Sequence, residues 1–177
     1  MTPAPLGERL PSFRYHPKPL FTGSVDWSDE ECARCGKARG FLYKGPIYSE
    51  KTVRVCPWCV ADGSAAETFD ATFTDAEAPG DVPDEVVDEI CRRTPGFSAW
   101  QEGRWLFHCG DGAEFLGRRG GDELNTAARK AIREELRGWP DDQIDWYVDA
   151  LSRDGSPTAY LFRCRVCGTH LAYSDST

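Results

Sequence analysis

The chain has 177 residues, 40% of them hydrophobic and 12% aromatic, which suits one sizeable core, or two small units sharing one, and excludes extensive disorder. Its 29 acidic side chains against 21 basic ones leave a formal net charge of -8. That balance excludes a nucleic-acid backbone as the expected partner, because phosphate binding needs a concentrated cationic face, and it suits a basic protein partner better.

Residues 1–30 carry five prolines and little periodicity, so they read as an extended N-terminal arm that packs through Phe13, Tyr15, Phe21 and Trp27, with His16 in an exposed setting before Pro17. Met1 to Leu10 has neither a basic n-region nor an apolar h-region, and no run approaches the ~18 apolar residues of a membrane span. The expectation is therefore a soluble, cytoplasmic protein with no membrane span. Residues 31–74 read as a compact unit. Cys32-Ala33-Arg34-Cys35-Gly36 forms a knuckle, Phe41 to Tyr43 and Thr52 to Val55 form two short strands separated by Gly45-Pro46, and Cys56-Pro57-Trp58-Cys59 follows. Pro57 suits the first position of a helix, where its missing N–H is no loss. If that helix runs on to Phe69, the order knuckle, hairpin, helix is that of a treble clef; if the second pair is another knuckle, the unit is a zinc ribbon.

Residues 70–84 are acidic and contain Pro79-Gly80 and Pro83, the composition of a solvated linker. Residues 83–93 then place Val86, Val87, Ile90 and Cys91 at helical spacing, with Asp84 and Glu85 suited to the first turn. Cys91 falls on that apolar stripe and reads as a small core hydrophobe. Residues 104–109 alternate as a strand does, with Trp105, Phe107 and Cys109 on one face and Leu106 and His108 on the other. Helices are predicted over 122–137, ended by Gly138, and over 141–151. A strand over 158–163, a second knuckle at Cys164-Arg165-Val166-Cys167-Gly168 and a return strand over 171–173 close the chain. Residues 75–177 thus read as a helical segment plus a C-terminal knuckle hairpin, packed with the first unit into one compact α+β domain.

Six of the eight cysteines lie in three Cys-x-x-Cys pairs. A pair separated by two residues can grip one tetrahedral ion from a tight turn, and two pairs complete a closed site. Cys32/Cys35 and Cys56/Cys59, twenty residues apart, match that double-pair pattern, and a reducing compartment disfavours disulfides as the alternative. Cys164/Cys167 needs two more ligands. Cys109 is the best third, since Gly110-Asp111-Gly112 follows it and can open room for an ion. His108 and His170 compete for the fourth place; strict alternation points His108 away from Cys109, so it serves only if the strand has broken there. His16 and Cys91 are the remaining candidates. Two zinc ions are expected, with Cys32, Cys35, Cys56, Cys59, His108, Cys109, Cys164 and Cys167 as ligands.

A rival reading makes Cys56-Pro57-Trp58-Cys59 a redox dithiol, since a cysteine at a helix start has a lowered pKa, but the βαβ context such a site needs does not precede it. The sequence has no His-Glu-x-x-His, no His-x-Glu paired with Pro-Cys-x-x-Cys, no Gly-x-Ser-x-Gly and no phosphate-cradling glycine loop.

The strings Phe13-Arg14-Tyr15-His16-Pro17, Gly45-Pro46-Ile47-Tyr48, Cys56-Pro57-Trp58-Cys59, Trp105-Leu106-Phe107-His108-Cys109-Gly110 and Phe162 to Gly168 together resemble the CbrC family of small uncharacterised bacterial proteins. That resemblance spans nearly the whole chain. It implies no catalytic residue; it implies a link to colicin tolerance, and hence a binding module that masks a basic toxin or modulates an envelope partner. The expected function is a zinc-stabilised, non-enzymatic protein-protein interaction module. The alternative is a thiol redox or zinc-dependent enzyme that works at the second, less complete site.

Overall fold

The computed structural model describes residues 9–177, so the portion of the predicted arm before residue 9, and most of the segment inspected for a leader, lie outside the described residues. The fold is a mixture of short strands and helices around three adjoining cores.

The front core forms around a two-stranded hairpin. β1 (Val25–Ser28) pairs antiparallel with β2 (Gly40–Tyr43), with Val25 opposite Tyr43 and Ser28 opposite Gly40. The first knuckle lies in the connection between these strands. The expected partner of β2, residues 52–55, is not a regular strand. It gives the Arg54 carbonyl to Ala33 N–H at 2.8 Å and the Val55 carbonyl to Tyr43 N–H at 2.9 Å, so its hydrogen bonds are split between the knuckle and β2. The strand that does pair with β2 comes from the stretch read as an extended arm. α1 (Pro57–Ala61) begins with Pro57 at its first turn and stops at Asp62; α2 (Ser64–Phe69) restarts after Gly63, whose φ of 79° interrupts the expected continuous helix. Cys32, Cys56 and Cys59 are buried here with Phe13, Leu42, Val55, Val60 and Phe73.

α3 (Asp84–Arg93) follows the acidic linker and turns Ile90 into the second core. The strand expected over 104–109 shrinks to β3 (Phe107–His108), which pairs with β4 (Asp111–Gly112) across a two-residue turn. Trp105 lies before β3, and its indole N–H donates to the Ala113 carbonyl at 2.9 Å.

The main sheet is β5 (Glu114–Arg119), β6 (Thr158–Arg163) and β7 (His170–Asp175), all antiparallel, with β6 in the centre. Side chains alternate across it. Phe115, Tyr160, Phe162 and Tyr173 enter an aromatic core with Tyr15, Phe97 and Trp105, while Ala159, Leu161 and Ala172 face Leu124, Ala128, Ile132, Ile144 and Val148 of the helical layer. That layer is α4 (Thr126–Glu135) and α5 (Asp141–Ala150). α4 begins four residues later than expected because Asn125 caps it, accepting from Ala128 N–H at 2.9 Å; a 3-10 turn at Gly121–Glu123 precedes it.

His16 is fully buried, against the exposed setting expected for it. Its Nδ1 lies 2.6 Å from the Pro95 carbonyl and its Nε2 2.7 Å from the Thr22 hydroxyl. A carbonyl can only accept, so Nδ1 carries the proton and Nε2 accepts from Thr22. The imidazole bridges the N-terminal segment to the loop before Phe97.

Candidate metal centres

Cys32 and Cys35 approach the first centre from a knuckle. Gly36 N–H donates to the Cys32 carbonyl at 2.8 Å, and Gly36 has a φ of 67°, the left-handed conformation that closes the turn and is cheap for glycine. Cys56 and Cys59 approach from the start of α1, where Val60 N–H reaches the Cys56 carbonyl at 3.2 Å. The four sulfurs lie within 4.8 Å of one another. Cys56 N–H points at Cys32 Sγ at 3.2 Å, and Cys35 and Cys56 sulfurs are 4.0 Å apart. Three of the four side chains are buried and Cys35 is half-buried. A hydrogen bond between the Cys56 and Cys32 thiol side chains draws Cys32 down to about 4, and the same side-chain contact together with burial pushes Cys56 up. Burial raises Cys59 to about 11. A cation among them would resolve this competition by accepting all four as thiolates.

The second centre uses a copy of the first knuckle. Gly168 N–H donates to the Cys164 carbonyl at 3.0 Å with a Gly168 φ of 76°, and Cys164 N–H reaches the Thr169 carbonyl at 2.8 Å, as Cys32 N–H reaches Lys37 at 3.1 Å. The other two donors come from the β3–β4 hairpin. Cys109 and Gly110 are its two turn residues, with φ of 54° and 69°, the positive pair of a type I′ turn. Cysteine is an unusual occupant of a position that favours asparagine or glycine, and the left-handed backbone costs about 1–2 kcal/mol there. The turn explains how neighbours converge. His108 is the last strand residue and Cys109 has already left the strand, so alternation no longer separates them.

His108 Nδ1 stands 3.2 Å from Cys109 Sγ and 3.4 Å from Cys167 Sγ, and all four ligand atoms of His108, Cys109, Cys164 and Cys167 lie within 4.8 Å. Cys164 is buried at 2% exposure, whereas the other three are exposed. Burial pushes the Cys164 thiol up, but the Cys167 and Val166 N–H groups outweigh it and hold Cys164 below the usual thiol range. The Thr169 hydroxyl, 3.3 Å from Cys167 Sγ, lowers Cys167, and the neighbouring Cys167 thiol raises Cys109 to about 11. Each set of four could hold one metal ion.

His170, the competing candidate, sits in β7 opposite Arg163 and belongs to neither set; nor do His16, bound to Pro95 and Thr22, and Cys91, half-buried on α3. Sequence reasoning missed the residues that fix the second hairpin. Asp111 accepts from the Tyr15 hydroxyl at 2.8 Å through one oxygen and from Arg165 of the knuckle at 2.8 Å through the other. Arg165 also lies over the Tyr15 ring at 5.3 Å. Only the nearness of Asp111 to Cys109 and of Arg165 to Cys164 hinted at this tie, since Tyr15 is 96 residues away from Asp111 in the chain.

Among known proteins, a UPF0167 protein of Mycobacterium bovis is 50% identical over 176 residues, covering 95% of this chain and 94% of its own length. A Mycobacterium tuberculosis UPF0167 protein gives the same identity and coverage. One from Pseudomonas aeruginosa is 42% identical over 168 residues, covering 90% of this chain and 93% of its own. No solved structure matches. Residues 10–176, which include both centres, match the description "Uncharacterised protein family (UPF0167)", and the chain therefore belongs to that family.

Proposed function

We propose that this protein is a zinc-stabilised, non-enzymatic protein-protein interaction module that holds two zinc ions, one on Cys32, Cys35, Cys56 and Cys59 and one on His108, Cys109, Cys164 and Cys167. The observation that carries the zinc reading is that eight soft or borderline donors gather into two sets of four. Tetrahedral sulfurs at Zn–S distances of about 2.3 Å stand about 3.8 Å apart, and a sulfur and an imidazole nitrogen about 3.6 Å apart. The 4.0 Å and 3.2–3.4 Å separations fall close to those values. Four protein ligands fill a zinc ion and leave no position for water, which is the pattern of a structural site. A knuckle joined to a helix start at the first centre suits a treble clef better than a ribbon. The arm of residues 1–30, the front unit of 31–74 and the remainder from 75 then act as one compact cytoplasmic domain.

Acidic charge and exposed aromatics support a basic protein partner. Trp146 on α5 is 69% exposed with Asp142 on the same outer side, a surface where an indole face and a carboxylate can both receive cationic side chains, whereas Asp145 and Asp149 beside them already pair with Arg133 and Arg129 of α4. The CbrC resemblance supplies the context, colicin tolerance, and a basic toxin domain as the occupant. The test is binding of the purified zinc protein to a basic colicin nuclease domain at low and at physiological salt. A complex that weakens as salt rises is expected; no complex at either salt contradicts the masking role. The exposure of the second centre favours the alternative of zinc-dependent or thiol redox chemistry, and a water ligand on its zinc, seen by X-ray absorption, would establish the open position that chemistry needs.

A further inference from the structure

The two centres have the same number of donors and opposite surroundings. At the first, Cys32, Cys56 and Cys59 are 1–4% exposed beneath Phe13, Leu42 and Val60. At the second, Cys109 and Cys167 are both exposed, their sulfurs lie within 4.8 Å of each other, and only Cys164 is withdrawn from solvent. Metal-bound cysteines are thiolates, and an accessible thiolate beside a second one is the arrangement that oxidants convert to a disulfide. At the first centre Cys35 is half-buried and its three possible partners are buried, which withholds the same chemistry.

We propose that Cys109 and Cys167 are an oxidation site: a peroxide joins them as a disulfide and expels the second metal ion while the first is retained. The inference rests on the zinc reading above. One thiolate attacks the peroxide, forming an S–O bond as the O–O bond breaks and hydroxide leaves. The other thiolate attacks the resulting sulfenic sulfur, forming S–S as S–O breaks and a second hydroxide leaves. Two electrons pass from the two sulfurs to the peroxide oxygens, and two protons from solvent turn both hydroxides into water. His108 and Cys164 alone cannot hold a four-coordinate zinc ion, which departs as the divalent cation.

The hairpin stays in place after the ion leaves. Asp111 keeps its bonds to Tyr15 and Arg165, and the new disulfide ties the same two segments that the ion had joined. The aromatic core beneath is independent of the ligands, so the change is local to β3, β4 and the knuckle.

The experiment treats the full-length zinc-loaded protein with hydrogen peroxide, follows released zinc with a chromophoric chelator, and maps disulfides by peptide mass spectrometry. Release of one zinc ion per chain, a Cys109–Cys167 disulfide, an unchanged far-ultraviolet circular dichroism spectrum and rebinding after dithiothreitol are expected, with the same result in Cys91→Ser. Release of both ions at one rate, or a disulfide among the first four cysteines, would overturn the proposal. Fewer than two zinc ions before treatment would overturn the zinc reading and this inference with it, whereas two ions that both survive peroxide would overturn this inference alone.

Discussion

His16 shows how much one side chain can carry. Burial of the imidazole lowers its pKa to about 4, with the Pro95 carbonyl only partly opposing the shift. An unfolded histidine titrates near ~6.5, so between that pH and about 4 the unfolded chain binds the proton first. The stabilisation from a neutral His16 is therefore complete above pH ~6.5 and is lost as pH falls toward 4, amounting to on the order of 2 kcal/mol by pH 5. Imidazole NMR should show His16 neutral at pH 5; a midpoint near 6.5 would mean that the ring is not enclosed as described. The sequence did not disclose this burial. Of the four aromatics expected to pack the segment, Phe13 and Tyr15 are buried while Phe21 and Trp27 are exposed, and the partners of His16 include Pro95, 79 residues away, so local pattern carries no such information. Cys109 is the opposite case, because Gly110 beside it signalled a turn, and the turn is what brings Cys109 to the knuckle.

At the scale of elements, β5 joins the second centre's hairpin to the main sheet. Phe115 stacks on Phe97 at 3.9 Å between ring centroids and lies 5.1 Å from Phe162, so truncating it empties the middle of the aromatic core. Phe115→Ala should lower unfolding stability by about 3–5 kcal/mol in urea while leaving the metal content of folded protein unchanged; a loss below about 1 kcal/mol would contradict the packing. β5, like β1, was an element that sequence reading missed. Glu114, Arg118 and Arg119 dilute its apolar signal, Gly117 interrupts it with a φ of 110°, and the register slips between Phe115 and Gly117. By contrast β6, with Thr158 to Phe162 all buried, was legible as a strand, and α3 and α5 were legible from their apolar spacing and acidic first turns. The knuckles were legible because their Cys-x-x-Cys-Gly strings are local. The pairing of β2 with β1 was not, because Val25-Asp26-Trp27-Ser28 alternates no more strongly than Thr52 to Val55 does.

Across the whole molecule, the two candidate metal centres would divide the work of holding short segments together. The first lies inside a core whose buried members include its own cysteines, so zinc there would add folding free energy to a hairpin and two short helices that also bury Phe13, Leu42, Val55, Val60 and Phe73. The second would fasten a surface hairpin to a sheet that already has aromatic and helical cores on its two faces. The described residues contain no helix long and apolar enough to cross a membrane. The central claim is that two zinc ions occupy these sets, and native mass spectrometry of the protein purified under reducing conditions tests it most directly. The account predicts a mass corresponding to two zinc ions per chain, falling to one in Cys164→Ser with the front unit still folded. A fully folded, metal-free chain would contradict it.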